Sequence, residues 1–315
     1  FMLTWTVQRV IDWSVDYLKK HEIEAPRLTT ELLLTKALDC RRVDLYLRYE
    51  QPLIKDELSS FKELIKRRIR REPTQYILGT QEFWSLPLKV DHRVLIPRPE
   101  TECLIEAVLE YIKEERLPAD GAILELGTGS GAIPCALASE LKESTIHTVD
   151  ISPGALEVAT ENAVSCQVAE RIHFYWGDLF TPVQPNGKPS PALPEKVSLE
   201  TQPLPKQHFN LLISNPPYIT SEELRGLQPE VVEYEPTLAL DGGQDGLDFV
   251  RRILEQAPEY VLPGGSILIE IGAEQGASSQ HLAAEMGMYE SIEILKDYAG
   301  KDRILSCRLV ESTDA

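Results

Sequence analysis

The spacing of apolar residues changes period twice along the chain. In the first 75 residues it is helical: Val7, Val10, Ile11, Val15 and Leu18 form one stripe that also takes in Ser14. Thr29-Thr30-Glu31 opens a second run over residues 32–38. Leu58, Phe61, Leu64, Ile65 and Ile69 share one face of a third run over 55–71, and Pro73 stops it. Between residues 76 and 97 polar and apolar positions alternate, with Gly79, Pro87 and Asp91-His92 as turn signals. Residues 83–88 and 93–96 therefore predict a hairpin, and helix returns over 100–115. From Gly121 onward, apolar runs of strand length alternate with helical segments. Strands are predicted at 122–126, 145–149, 172–176, 209–214 and 266–271, with closing strands at 291–295 and 304–310. Helices are predicted at 132–141, 153–164, 247–261 and 275–285. This alternation predicts an α/β fold, a mostly parallel sheet with helices on both faces.

The expected organisation is a helical domain over 1–75, a hairpin linker over 76–100 and an α/β domain over 101–315. Residues 181–207 break the rhythm, with seven prolines and an Asn186-Gly187 pair, and predict an exposed insertion. At 43% hydrophobic and 26% charged residues the composition is that of a globular protein with a full core. No apolar run approaches the roughly 20 residues of a membrane span, and residues 1–10 do not read as a secretory leader. The five cysteines, Cys40, Cys103, Cys135, Cys166 and Cys307, include no Cys-x-x-Cys pair, so free thiols in a reducing cytoplasm are expected. The six histidines show no metal-ligand spacing, and no metal is expected.

Charge divides the chain. Residues 1–80 carry 15 Lys/Arg against 12 Asp/Glu, a balance of +3; the remainder carries 17 against 38, a balance of −21. A strongly acidic C-terminal part disfavours binding to bare nucleic acid, whose affinity rests on phosphate neutralisation, although a local basic cleft is compatible with a net acidic charge. The basic run 66–71 reads as a solvated helix end whose cations meet the negative pole of the helix dipole. The alternative is contact with an acidic or RNA-containing partner.

Four elements carry chemistry. Gly127-Thr128-Gly129-Ser130-Gly131 follows a strand and opens a helix, where glycines permit a tight turn and close approach to a ligand. Its spacing differs from that of dinucleotide folds, which argues against a dehydrogenase. Asp150 ends the next strand, where an acidic residue takes ribose hydroxyls; Ser152 before Pro153 is already a good helix cap, which leaves Asp150 for ligand. Asp178, after the third strand, can accept from an exocyclic adenine amine, with Leu179 and Phe180 as walls, or can simply be a turn residue.

The fourth element, Asn215-Pro216-Pro217-Tyr218, is the most specific. Two prolines stiffen the backbone and remove two N–H donors, so the Pro216 carbonyl is free to face a ligand. Asn215 adds an amide oxygen, and Tyr218 a ring to lie against a planar group. Such a pair of acceptors suits both hydrogens of an –NH2 group, whether a glutamine amide or an adenine amine. A non-enzymatic nucleotide-binding module would have no use for the tetrapeptide.

Together these motifs resemble class I methyltransferases that act on nitrogen. Pro73-Thr74-Gln75-Tyr76-Ile77-Leu78-Gly79, Glu82-Phe83-Trp84-Ser85-Leu86 and Leu95-Ile96-Pro97-Arg98-Pro99-Glu100-Thr101-Glu102 narrow the resemblance to the release factor glutamine N5-methyltransferases, the PrmC/HemK family. The resemblance runs from the helical N-terminus to Asp302-Arg303 and leaves out the proline-rich insertion. It implies a Rossmann-like, seven-stranded class I sheet with a small helical N-terminal domain that grips the substrate. It also implies methyl transfer from S-adenosyl-L-methionine, with S-adenosyl-L-homocysteine as product, to the glutamine of the Gly-Gly-Gln motif of peptide chain release factors.

By motif position, Gly127, Thr128, Gly129, Ser130, Gly131, Asp150, Asp178, Leu179 and Asn215 would contact the cofactor. Asn215, Pro216, Pro217 and Tyr218 would hold the substrate glutamine, with Asn215, Pro216 and Tyr218 catalytic; Arg98, Glu100 and Thr101 would line the site. Family members often carry Trp at the position of Leu179, so stacking on adenine is not expected there. A ribosomal-protein glutamine or, less well, a nucleic-acid adenine is the alternative target. Gly242-Gly243-Gln244 within this chain reads as turn chemistry rather than a copy of the substrate motif.

Overall fold

In the computed structural model, which describes residues 4–182, 193 and 198–311, the N-terminal stripe folds as five helices: α1 (Val7–Lys20), α2 (Pro26–Leu38), α3 (Arg42–Leu47), α4 (Lys55–Ile69) and α5 (Thr74–Leu78). Val10, Ile11, Leu18, Leu33, Leu34 and Phe61 form their core. α2 begins earlier than predicted because Pro26 occupies its first turn, where a missing N–H costs nothing. α4 ends before Pro73, which instead precedes the unpredicted α5. Glu31, fully buried on α2, accepts from Arg27 (2.9 Å), Arg42 (2.6 Å) and the Tyr46 hydroxyl (2.8 Å). Burial alone would raise its pKa; the hydrogen bonds from Arg42, Tyr46 and Arg27 outweigh burial and hold it below the ordinary value.

The predicted hairpin is present but shifted. β1 (Thr80–Phe83) pairs with β2 (Leu86–Lys89) around Trp84-Ser85, whose φ angles of 51° and 60° make the left-handed turn a two-residue hairpin needs. Neither residue type signals such a turn. Residues 93–96 are not a strand, and the Ile96 N–H donates instead to Glu235 (3.2 Å).

The α/β part follows as α6 (Glu102–Lys113), β3 (Ala122–Leu126), α7 (Ala132–Glu140), β4 (Thr145–Asp150), α8 (Pro153–Ser165), β5 (Ile172–Asp178), β6 (Thr181–Pro182) and β7 (Phe209–Ser214). It continues with α9 (Pro229–Tyr234), α10 (Asp248–Gln256), β8 (Val261–Glu270), α11 (Gly276–Glu285), β9 (Tyr289–Lys296) and β10 (Asp302–Leu309). α10 is shorter than predicted because Pro258 breaks it. The sheet order is β6-β5-β4-β3-β7-β8-β10-β9. β5, β4, β3, β7 and β8 are parallel, and β10 runs antiparallel to both β8 and β9. Seven strands carry the sheet, with the two-residue β6 at its edge. Both faces are covered: Ile123, Leu211 and Ile213 pack in one core and Leu124, Leu126 and Leu212 in the other, as a sheet flanked by helices requires.

The chain divides into two compact units, the first being residues up to Thr80 with Gln228–Tyr234 and the second the remainder, so the hairpin after Thr80 belongs to the α/β unit rather than to a separate linker. α9 belongs to the helical unit. Its Glu230 accepts from Arg68 (2.8 Å) and Arg71 (3.2 Å), Tyr234 donates to the Arg70 carbonyl, and Gln228 donates to Glu24. Arg67 pairs with Glu72, so much of the basic run is committed within its own unit. The insertion is only partly as expected. Residues 183–192 and 194–197 lie outside the described residues, whereas Leu199 bridges to Phe174 of β5 and Leu204 is buried in the sheet core. Among the described residues no helix is long and apolar enough to cross a membrane.

Candidate active site

Successive strands run outward from β3 in one direction through β4 and β5, and in the other through β7. The β3–β7 junction is therefore the topological switch point, and in open α/β sheets ligands bind at the carboxyl ends of the strands there. The register pairs Leu126 with Ser214, which sets the glycine loop beside the tetrapeptide. Ser214 Oγ donates to the Leu126 carbonyl at 2.6 Å and ties the two strand ends together. A cavity of about 340 Å³ opens at this point, lined by both segments.

On the β3 side, Gly127 and Gly129 adopt φ of +88° and +53°, a region that L side chains rarely enter. A Cβ on Gly129 would meet nothing within 4 Å, so its face is open to a ligand. Gly131 differs. It does not line the cavity, and a Cβ there would lie 3.1 Å from Ala159 Cα, so it permits close packing of α7 on α8. The Thr128 hydroxyl is committed to Thr148 (2.6 Å), while Ser130 lines the cavity and its carbonyl accepts from Asn162 (2.8 Å).

Asp150 is less free than the cap at Ser152 suggested. Ser152 does cap α8, but Asp150 Oδ2 accepts from the Gly129 N–H (2.7 Å) and Oδ1 from the Ser152 N–H (2.8 Å). Each oxygen keeps a lone pair beyond these bonds. Burial pushes the carboxyl up to about 6, partly offset by those N–H groups. Glu125, not singled out from sequence, also lines the cavity. It accepts from Thr148 through Oε2, whereas Oε1 is buried without a partner, and burial raises its pKa well above normal. An open glycine face, a carboxylate with spare lone pairs and an unsatisfied carboxyl oxygen fit a ligand that carries hydroxyls and an ammonium group, as S-adenosylmethionine does.

On the β7 side, Asn215, Pro216 and Pro217 line the cavity, whereas Tyr218, expected beside the substrate, does not line it. Asn215 Nδ2 donates to Thr101 Oγ1 at 3.0 Å, which leaves Oδ1 as its free acceptor. Thr101 is buried and lines the cavity; Glu100 is exposed and does not line it. Arg98 lines the cavity and pairs with buried Glu235 at 2.6 Å. The glycine-rich loop after Leu240 packs on the tetrapeptide: a Cβ on Gly242 would lie 2.7 Å from Tyr218 Cα and 2.8 Å from the Pro217 carbonyl oxygen. Gln244 is exposed, and the glycine before it serves close packing, which accounts for the internal Gly-Gly-Gln without a substrate role.

Two expectations near β5 change. Asp178 lines the cavity but is paired with Arg252 of α10 at 2.8 Å, so an adenine amine would have to share it. Leu179 is a cavity wall with a left-handed φ of 51°, but Phe180 is fully buried and stacked on Tyr260 at 4.6 Å, away from any ligand. Sequence reasoning could not find Arg252 or Glu235, because each meets its partner across 74 and 137 residues.

Residues 9–79 match the PrmC N-terminal domain, and residues 102–188 match the methyltransferase small domain. The release factor glutamine methyltransferase of Geobacter sulfurreducens is 41% identical over 305 residues, covering 97% of this chain and 97% of that protein. That of Rhodopirellula baltica is 35% identical over 303 residues, 96% of each chain. Among solved structures, the hMettl16 catalytic domain in complex with MAT2A 3′UTR hairpin 6 is similar with a TM-score of 0.53 and 14% identity, over 80% of this chain and 84% of that one. At that identity the likeness is one of fold.

Proposed function

The chain belongs to the release factor glutamine methyltransferase family, and on that premise we propose that it methylates the side-chain nitrogen of the glutamine in the Gly-Gly-Gln motif of a peptide chain release factor in the cytoplasm, with S-adenosylmethionine as donor. The observation that carries this reading is the switch point itself, where an open glycine loop meets Asn215 with its amide nitrogen already spent on Thr101. Gly127, Gly129, Asp150 and Glu125 would hold the cofactor. Bound there, it supplies an electrophilic sulfonium methyl.

The residues of the chain do the rest. An amide nitrogen is a poor nucleophile because its lone pair is delocalised, so placement must supply much of the acceleration. Asn215 Oδ1 and the Pro216 carbonyl accept the two amide hydrogens and fix the plane of the group. As the nitrogen gives up its lone pair its hydrogens become acidic, and acceptors already aimed at them stabilise the developing charge until one of the two protons leaves to water.

The names of the near full-length relatives, release factor glutamine methyltransferases, support a protein substrate. The test is direct: label transfer from S-adenosylmethionine to a release factor, a ribosomal protein and an RNA duplex, assayed side by side. Label in the release factor is expected, and label in the RNA alone would overturn the reading. Cofactor affinity should also depend on pH. Asp150, pushed up to about 6 by burial, accepts from ribose hydroxyls through both oxygens only when ionised. Below pH 6 the cofactor must therefore displace a proton, and its Kd should rise about tenfold per pH unit. Calorimetric titration from pH 8 to 5 would show this, and Asp150→Asn should bind more weakly and without the slope.

A further inference from the structure

Glu270 ends β8 on the strand beside the tetrapeptide, in the ladder that pairs Ser214 with Ile269. It is 1% exposed, and neither of its carboxyl oxygens completes a hydrogen bond. The groups that face it are the Thr101 and Tyr218 hydroxyls, the Arg303 guanidinium of β10 and the Glu100 carboxylate. Arg303 is committed elsewhere, to Asp297 (3.1 Å) and the Ile271 carbonyl (3.4 Å), so it offsets charge without bonding to Glu270. A buried carboxylate without a completed hydrogen bond is costly, and the Thr101 hydroxyl beside Glu270 is a donor that would offset that cost.

Thr101 is the link. A threonine hydroxyl has one proton to give and two lone pairs to accept with. The two ends of the Asn215 amide are nearly the same shape, so what decides which end faces Thr101 is where the Thr101 proton goes. A carboxylate is a stronger acceptor than a neutral amide. We propose that Glu270 is a positioning residue for methyl transfer: its carboxylate takes the hydroxyl hydrogen of Thr101, Thr101 Oγ1 then accepts from Asn215 Nδ2, and Asn215 is left presenting oxygen to the substrate amide. The relay rests on the reading of Asn215 as the holder of that amide. When Glu270 is protonated it becomes a donor to Thr101, the chain reverses, and Asn215 presents N–H groups to the substrate's own N–H groups.

Burial pushes the Glu270 carboxyl up to about 7, which places the reversal in an accessible range. The experiment is the pH profile of kcat from 6 to 9, at saturating cofactor so that Asp150 does not enter, for wild type, Glu270→Gln, Thr101→Val, the double variant and Asn215→Ala. Wild type should lose about tenfold per pH unit below the Glu270 pKa. Glu270→Gln should be about tenfold slower at pH 8, flat with pH, and close to wild type in KM for the release factor, because a neutral amide orients Thr101 either way. Adding it to Thr101→Val should change nothing further. A flat wild-type profile overturns the proposal even if Glu270→Gln fails to fold. An acid limb that survives in Glu270→Gln overturns it, and so do effects of Glu270→Gln and Thr101→Val that simply multiply. If Asn215→Ala is as fast as wild type, the reading of Asn215 itself has failed, a result distinct from failure of the relay alone.

Discussion

Asn215→Ala should lower kcat by about 10²–10³-fold, the cost of removing one aligned polar contact to charge that develops in the transition state. The side chain lies between two commitments. Nδ2 is bonded to Thr101 at 3.0 Å, which leaves Oδ1 without a protein donor on a residue that lines the cavity. The variant therefore removes the acceptor for one substrate hydrogen and also the group whose orientation Thr101 controls. The effect should fall on kcat more than on cofactor Kd, because Gly127, Gly129, Asp150 and Glu125 are untouched. Single-turnover rates with a release factor, together with a cofactor titration, separate the two. An unchanged rate would remove Asn215 from the mechanism.

Gly242→Ala should cost about 10²-fold in kcat, on the scale expected when a reacting group is displaced by about 1 Å. The new Cβ would lie 2.7 Å from Tyr218 Cα and 2.8 Å from the Pro217 oxygen. Both are backbone atoms and cannot swing aside as a side chain would, so either the glycine loop or the tetrapeptide must move. Gly226→Ala is the control. A Cβ there meets nothing within 4 Å, and activity should be retained. Equal, near-wild-type rates for both variants would show that the tetrapeptide tolerates displacement.

What the sequence makes legible here are strand ends and the short segments that follow them. Leu126 and Ser214 close apolar runs, and the motifs after them carry unusual φ angles or lack N–H donors, properties written into residue type. Parallel strands buried on both faces read as near-continuous apolar runs, and they bring those ends together at the switch point. The second layer of the site is not legible in this way. Thr101 meets Asn215 across 114 residues, and Arg98 meets Glu235 across 137. Glu270 looks like any carboxylate after a strand, and only the packing around it shows that it is buried and unpartnered. The Trp84-Ser85 turn carries no turn signal in its residue types; long-range bonds hold it, the Trp84 N–H to Glu102 and its indole N–H to Glu140. The place of α9 in the helical unit depends on Glu230, 162 residues from Arg68.

The central claim is that the cavity at the β3–β7 junction methylates a glutamine side chain of a release factor. Mass spectrometric mapping after reaction with S-adenosylmethionine tests it most directly. One added methyl on the glutamine of the Gly-Gly-Gln motif, absent when that glutamine is replaced by alanine, is the predicted result. A methyl on another residue, or label that persists in the alanine variant of the substrate, would contradict it.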